Sequence, residues 1–86
     1  MEYVYILQSK ADGSFYTGMS QNPAKRLEDH NFGRVKTTKS KKPWSIMHTE
    51  AFASRSEARK REKFLKSSAG REERDILLKE LKRVAR

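Results

Sequence analysis

Five side chains in this sequence have the types and the spacing to act together on a reacting group: Tyr5, Tyr16, Arg26, His30 and Glu62. Phenols and imidazoles can carry protons, a guanidinium supplies fixed positive charge, and a carboxylate can hold a cation. Together such groups can activate a water and stabilise the charge that develops on a reacting group. Arg26 and His30 are four residues apart, so on a helix they stack on one face, at the rim of a stripe formed by Ala24 and Leu27. Glu62 falls between Ala58 and Leu65, in the middle of a stripe that should face the core. Burying an ionised carboxylate costs several kcal/mol unless it is paired or coordinates a metal. Each group also has a plain structural reading: strand tyrosines fill cores, Arg and His on a basic helix face solvent, and an inward Glu is salt-bridged or reaches water at the helix edge.

The elements that would position these groups can be read from periodicity. Tyr3 to Leu7 is β-branched and aromatic with apolar side chains on both parities, which predicts a central strand covered on both faces. Asp12 and Gly13 supply a turn, and Ser14 to Met19 returns as the second strand of a hairpin. An even-numbered loop, either Asp12 and Gly13 alone or four residues from Lys10 to Gly13, puts Tyr5 and Tyr16 on one face; an odd loop or a bulge would separate them. Asn22 followed by Pro23 starts a helix that Gly33 is placed to end, giving a helix over Pro23 to Phe32. Five basic residues, Arg34, Lys36, Lys39, Lys41 and Lys42, with no acid among them, predict an exposed and mobile loop. Trp44 to Phe52 is a third strand, with Trp44 an anchor of the core and His48 packing or facing solvent. Ser54 and Glu57 fit a capping box that opens a second helix over Arg55 to Ser67. Gly70 breaks the pattern, and Ile76, Leu77, Leu81 and Val84 mark a last amphipathic helix. The expected architecture is therefore one α+β domain over residues 1–86, in β-β-α-β-α-α order, with helices flanking a three-stranded antiparallel sheet.

Composition narrows the partners. Eighty-six residues support one small core, with 35% hydrophobic and 36% charged residues. No apolar run reaches the roughly 18 residues needed to span a bilayer, no basic amphipathic face suits a membrane surface, and the start reads as a strand, so the cytoplasm is the expected compartment. The absence of cysteine excludes disulfides and thiolate zinc sites, leaving oxygen or imidazole for any metal. Twenty Lys and Arg against eleven Asp and Glu give +9 at pH 7, a surplus that attracts polyanions, nucleic acid first among them.

Tyr3-Val4-Tyr5, then Tyr16-Thr17-Gly18, then Arg26 and His30 on a helix and Glu62 on a later one together resemble the pattern of the GIY-YIG nuclease family, across essentially the whole chain. The likeness is to its small single-domain members. Position by position, Tyr5 and Tyr16 match the two motif tyrosines, Gly18 the glycine closing the second motif, and Arg26, His30 and Glu62 the family's arginine, histidine and metal-ligating glutamate. Tyr3 stands where the first glycine would be, Thr17 replaces an isoleucine, and no asparagine follows Asn31, although several members use a late one.

The resemblance implies a metal-dependent endonuclease in which Glu62 holds a single Mg²⁺ or Mn²⁺, leaving most positions to water and phosphate. A tyrosine with a reference pKa near 10 takes a proton at neutral pH only where a cation favours phenolate. Tyr5 is assigned as the base, directly or through His30, and Tyr16 orients the water or phosphate. The basic loop with Arg55, Arg59 and Lys63 is the expected track for the nucleic-acid backbone, with DNA favoured over RNA and little sequence preference. The chain is expected to act as a monomer, any specificity coming from a partner protein. Two rival readings keep the fold without the chemistry: a silent nucleic-acid-binding module, and a structural partner within a larger nucleoprotein.

Overall fold

β1 (Glu2–Ser9) carries apolar side chains on both faces, and the fold covers both. It is the middle strand of a three-stranded antiparallel sheet of order β2-β1-β3, between β2 (Phe15–Ser20) and β3 (Trp44–Phe52). The helices are α1 (Pro23–Asn31), α2 (Arg55–Lys66) and α3 (Ser68–Val84), and a 3₁₀ turn, Lys39–Lys41, precedes β3. The computed structural model describes residues 1–84, with side chains as far as Lys79. The order of elements is the expected one, and α1 and α2 each end one residue before their expected last position. No described helix is long and apolar enough to cross a membrane.

Alternation along β1 splits the core in two. Val4 and Ile6 pack with Ala58, Leu65 and Leu78 under α2 and α3, whereas Tyr5 and Leu7 pack with Trp44, Leu27 and Ile46 on the α1 side. β3 serves both faces because its register with β1 shifts between Ile6 and Leu7, placing His48 opposite Ile6 but Ile46 opposite Leu7. The extra residue reverses the alternation, so Trp44 and Ile46 join the Tyr5 side while His48 and Glu50 turn to the α2 side.

Helix starts follow the capping logic of the sequence: Asn22 Oδ1 accepts from Lys25 N–H at 3.2 Å, and Ser54 Oγ accepts from Glu57 N–H at 3.3 Å. The rotation of α2 is fixed by Arg61, whose guanidinium donates to Glu50 at 2.7 and 3.0 Å and to Glu73 at 3.0 and 3.1 Å, tying β3, α2 and α3 together. His48, expected to pack or face solvent, joins this network through Nε2 at 2.9 Å from Glu50 Oε2. Clamping Arg61 to the β3 side sets where its neighbour Glu62 can point.

Three expectations need correction. Gly70 does not break the last helix but lies inside α3, buried, and a Cβ there would run into the carbonyl of Phe64. The two helices are separated by Ser67 alone, and the glycine is required by how closely their ends approach. Ile76 is 59% exposed rather than in the stripe, and Leu78 takes the core position, because the Gly70 contact turns the Arg74 and Leu78 face inward. The side chains of Leu81 and Val84 lie outside the described residues. The loop over 34–42 is not a free one: Thr38 is 1% exposed, and its carbonyl accepts from Trp44 Nε1 at 2.9 Å. Its five basic residues are nonetheless exposed.

Gly70→Ala is expected to destabilise the fold by about 3 kcal/mol, since the clash is with backbone and a core cannot absorb an added methyl without shifting. Chemical denaturation measures this, and a change below about 0.5 kcal/mol, the size of an ordinary surface substitution, would mean that the α2 and α3 ends separate freely.

Candidate active site

The β1–β2 hairpin closes with four loop residues, Lys10 to Gly13, and Ser9 N–H donates to Ser14 O at 2.8 Å. The even loop pairs Tyr5 with Gly18 and Leu7 with Tyr16, so the two phenols share a face as diagonal neighbours with ring centroids 6.4 Å apart. Gly18 makes room for this: a Cβ on it would lie 2.6 Å from the Tyr5 hydroxyl oxygen, so any side chain would push the phenol out of place.

α1 brings His30 to this pair. The imidazole is fully buried, not at the rim as expected, with Nε2 3.1 Å from Tyr5 Oη and Nδ1 2.7 Å from Thr38 Oγ1. The Tyr16 ring stands edge-on to it at 4.9 Å. Thr38 Oγ1 also reaches Val35 O at 3.4 Å, an acceptor only, so the hydroxyl can donate there while accepting from His30 Nδ1–H. This assigns Nε2 as the acceptor of the Tyr5 proton, one directed chain from phenol to loop. Burial and the Arg26 charge hold His30 below its ordinary pKa, so it is neutral at pH 7.

Tyr5 is 1% exposed, and burial pushes its phenol up to about 12; the neighbouring Tyr16 and the Glu62 charge push the same way, and the Arg26 guanidinium pulls it down. Arg26 is half-exposed on α1 and pairs with Asp29 at 3.6 Å. Glu62 does not face solvent: its side chain is 12% exposed, with Lys66 Nζ at 3.1 Å and Arg59 Nε at 3.9 Å. Lys66 in turn sits 5.9 Å from the centre of the Tyr16 ring. Tyr5, Tyr16 and His30 are therefore packed together, Arg26 and Glu62 are near enough for their charges to act on Tyr5, and Lys66 links Glu62 to the Tyr16 ring.

The expected backbone track divides. The basic loop lies at the Ser9 end of β1, where Ser9 Oγ donates to Lys41 O at 2.6 Å, while Arg55 follows Phe52, paired with Glu2 at the other end. About 25 Å of strand separates them. Lys41 pairs with Asp12, Arg34 with Asp29 and Arg59 with Glu62, leaving Lys36, Lys39, Lys42, Arg55 and Lys63 without ion-pair partners among the described residues. Two groups at the site were not singled out from sequence. Thr38 gave no signal within a polar loop, whereas Lys66 stands four residues after Glu62, a spacing that pairs charges on a helix.

The family model described as GIY-YIG catalytic domain matches residues 1–75, the span that holds all five groups. The chain belongs to the GIY-YIG family. That family is one of endonucleases. The GIY-YIG chain is 40% identical over 63 residues to a UPF0213 protein of Halobacterium salinarum, covering 72% of this chain and 80% of that one. To a UPF0213 protein of Staphylococcus haemolyticus it is 42% identical over 66 residues, 76% of this chain and 79% of the other. A solution NMR structure of a UPF0213 protein from Bacillus halodurans superposes with a TM-score of 0.55 at 35% identity, over 90% of this chain and 83% of that one.

The buried neutral His30 makes stability depend on pH in a definite direction. Its folded pKa lies below the unfolded value of about 6.5, so the unfolded chain binds more protons in the window between the two. Stability is complete above about pH 6.5 and falls as pH drops through that window. His30→Gln should flatten this part of a plot of Tm against pH, and an unchanged slope would assign the loss to another group.

Proposed function

We propose that this chain is a metal-dependent endonuclease that hydrolyses phosphodiester bonds in nucleic acid, DNA before RNA, with the Tyr5–His30 pair as its base. The observation that carries the reading is the 3.1 Å contact from the Tyr5 hydroxyl to the Nε2 of a buried, neutral imidazole. A phenol held up to about 12 is a poor proton acceptor alone. Passing its own proton to His30 Nε2 as it takes one from water removes that difficulty, because the phenolic oxygen never carries a full charge. Tyr16, the half-exposed member of the pair, orients the water or the phosphate, and Arg26 supplies positive charge to the phosphoryl oxygens.

The donor set suits one hard divalent cation. Among the described residues no three His, Asp or Glu come together, and Glu62 is the carboxylate at the site, already faced by the Lys66 ammonium. A single carboxylate is enough for Mg²⁺ or Mn²⁺ when water and substrate phosphate fill the other positions, and the bound ion supplies positive charge for the leaving oxygen. That same sparse donor set favours a second reading, a nucleic-acid-binding module without hydrolysis. Under either reading the chain works as a monomer with low sequence preference, any specificity coming from a partner protein.

The test is cleavage of single-stranded, duplex and branched DNA and of RNA, with Mg²⁺, Mn²⁺ or EDTA. Cutting that appears with metal and stops with EDTA supports the endonuclease. Salt-sensitive binding without cutting of any substrate would leave only the binding module.

A further inference from the structure

β2 is an edge strand, and its outer side is not bare. The hydrogen-bonded pair Ser9 and Ser14 fixes the ladder, so Tyr16 and Gly18 direct their backbone groups at β1, while the N–H and C=O of Thr17 face the free edge. Beside that edge lies a pocket of about 170 Å³, with Tyr16, Thr17, Lys66, Arg71 and Arg74 on its polar side and Phe15 and Leu65 on its apolar side. Three cations from the end of α2 and the start of α3 converge there. Lys66 is shared with Glu62, and Arg74 with Asp75 at 3.2 Å and the face of Phe15 at 4.8 Å. Arg71 is exposed and has no acidic partner among the described residues. None of the three belongs to the basic loop or to the residues expected to track the backbone.

We infer that this pocket is a phosphate-binding subsite for the nucleic-acid strand, holding a phosphodiester next to the one that is cut. The inference rests on the proposed nuclease reading for the identity of its ligand. A phosphodiester is the anion that matches the pocket: its two non-bridging oxygens accept from several donors at once, and guanidinium groups present paired N–H donors to them. Tyr16 both lines the pocket and packs its ring against His30, so a phosphate seated here neighbours the catalytic groups. Lys66 spans the two, lying at once on Glu62, over Tyr16 and in the pocket wall. A strand held here enters the site along the β2 edge rather than from the basic loop.

The experiment uses the full chain in EDTA, so that binding is read without cleavage, with two probes: a single-stranded DNA dodecamer and inorganic phosphate. Arg71 is exposed, so both Arg71→Glu and Arg71→Ala should leave the circular dichroism spectrum unchanged. The dodecamer is expected to shift the Thr17 amide resonance, Arg71→Glu to weaken its binding by roughly tenfold at low salt, and the slope of log Kd against log salt to fall by about one for Arg71→Ala. Arg71→Lys should restore most of the affinity. Unchanged affinity in Arg71→Glu with an unmoved Thr17 amide would overturn the subsite. A Thr17 shift with inorganic phosphate but not with the dodecamer would overturn the strand assignment in favour of a free-anion site. Cleavage by the wild type is scored separately: binding through Arg71 without cutting refutes hydrolysis and leaves the subsite standing, whereas cutting unaffected by Arg71 refutes the subsite alone.

Discussion

Replacing Tyr5 by phenylalanine is expected to lower the rate of cleavage by about 10²–10⁴-fold, the range that a positioned proton-transfer group contributes. The substitution removes one oxygen from a ring that is otherwise fixed by packing with Leu7 and Trp44, so the ring and its neighbours stay where they are. What is lost is the 3.1 Å contact to His30 Nε2, leaving a buried acceptor without a donor at a cost of about 1–3 kcal/mol to stability. Because the lost interaction serves the transition state rather than substrate binding, kcat and kcat/KM should fall together while KM holds. Single-turnover cleavage at saturating protein separates these quantities. Retention of full activity by Tyr5→Phe would eliminate Tyr5 as the base and transfer the role to Tyr16, which stands 4.9 Å from the same imidazole. His30→Gln is the companion variant, and a larger loss there than in Tyr5→Phe would make the imidazole, not the phenol, the group that meets the water.

How much of this site was readable from the sequence depends on which physical rule governed each residue. Hairpin arithmetic puts Tyr5 and Tyr16 on one face only if the loop is even, an alternative the sequence leaves open and the register of β1 with β2 decides. Glu62 was visible as a carboxylate in an apolar helical stripe, and helical periodicity is strong over a helix as well capped as α2. His30 reads as a rim residue because α1 by itself offers only Ala24 and Leu27 as an apolar stripe, and its depth depends on Thr38, eight residues away in a loop whose composition signals only solvent. The structural cause is long-range: Trp44 Nε1 on the Thr38 carbonyl, and Asn31 bonded to the Trp44 backbone at 2.6 and 3.1 Å, pull the loop inward. Gly70 reads as a helix breaker because a glycine lowers helix propensity whatever its reason for being there, and close approach of two helix ends leaves no local mark. The bulge at Met47 was equally silent, yet without it Trp44 and Glu50 would lie on the same face.

Glu62→Gln keeps the size of the side chain and removes its charge, and it separates two roles whose effects have opposite signs. Burial is the main influence that holds the Tyr5 phenol at about 12 and the Glu62 charge a lesser one, so the glutamine variant should lower that pKa slightly, which an ultraviolet titration of tyrosinate reads. Were tuning of Tyr5 its main role, the variant would be the faster enzyme, because a phenol of lower pKa is more readily ionised at neutral pH. If instead Glu62 is the holder of the divalent cation, cleavage should fall by about 10³-fold or more, several kcal/mol of transition-state stabilisation being lost with it. We expect the second outcome. Stability should change by no more than about 1 kcal/mol, since the partners Lys66 and Arg59 are half-exposed and such pairs contribute little. A loss of activity that higher Mn²⁺ partly restores, with the tyrosinate titration moved downward, would fit a cation ligand that also burdens the base. An active Glu62→Gln variant with unaltered dependence on metal would remove Glu62 from the chemistry and leave it as the acid that pairs with Lys66.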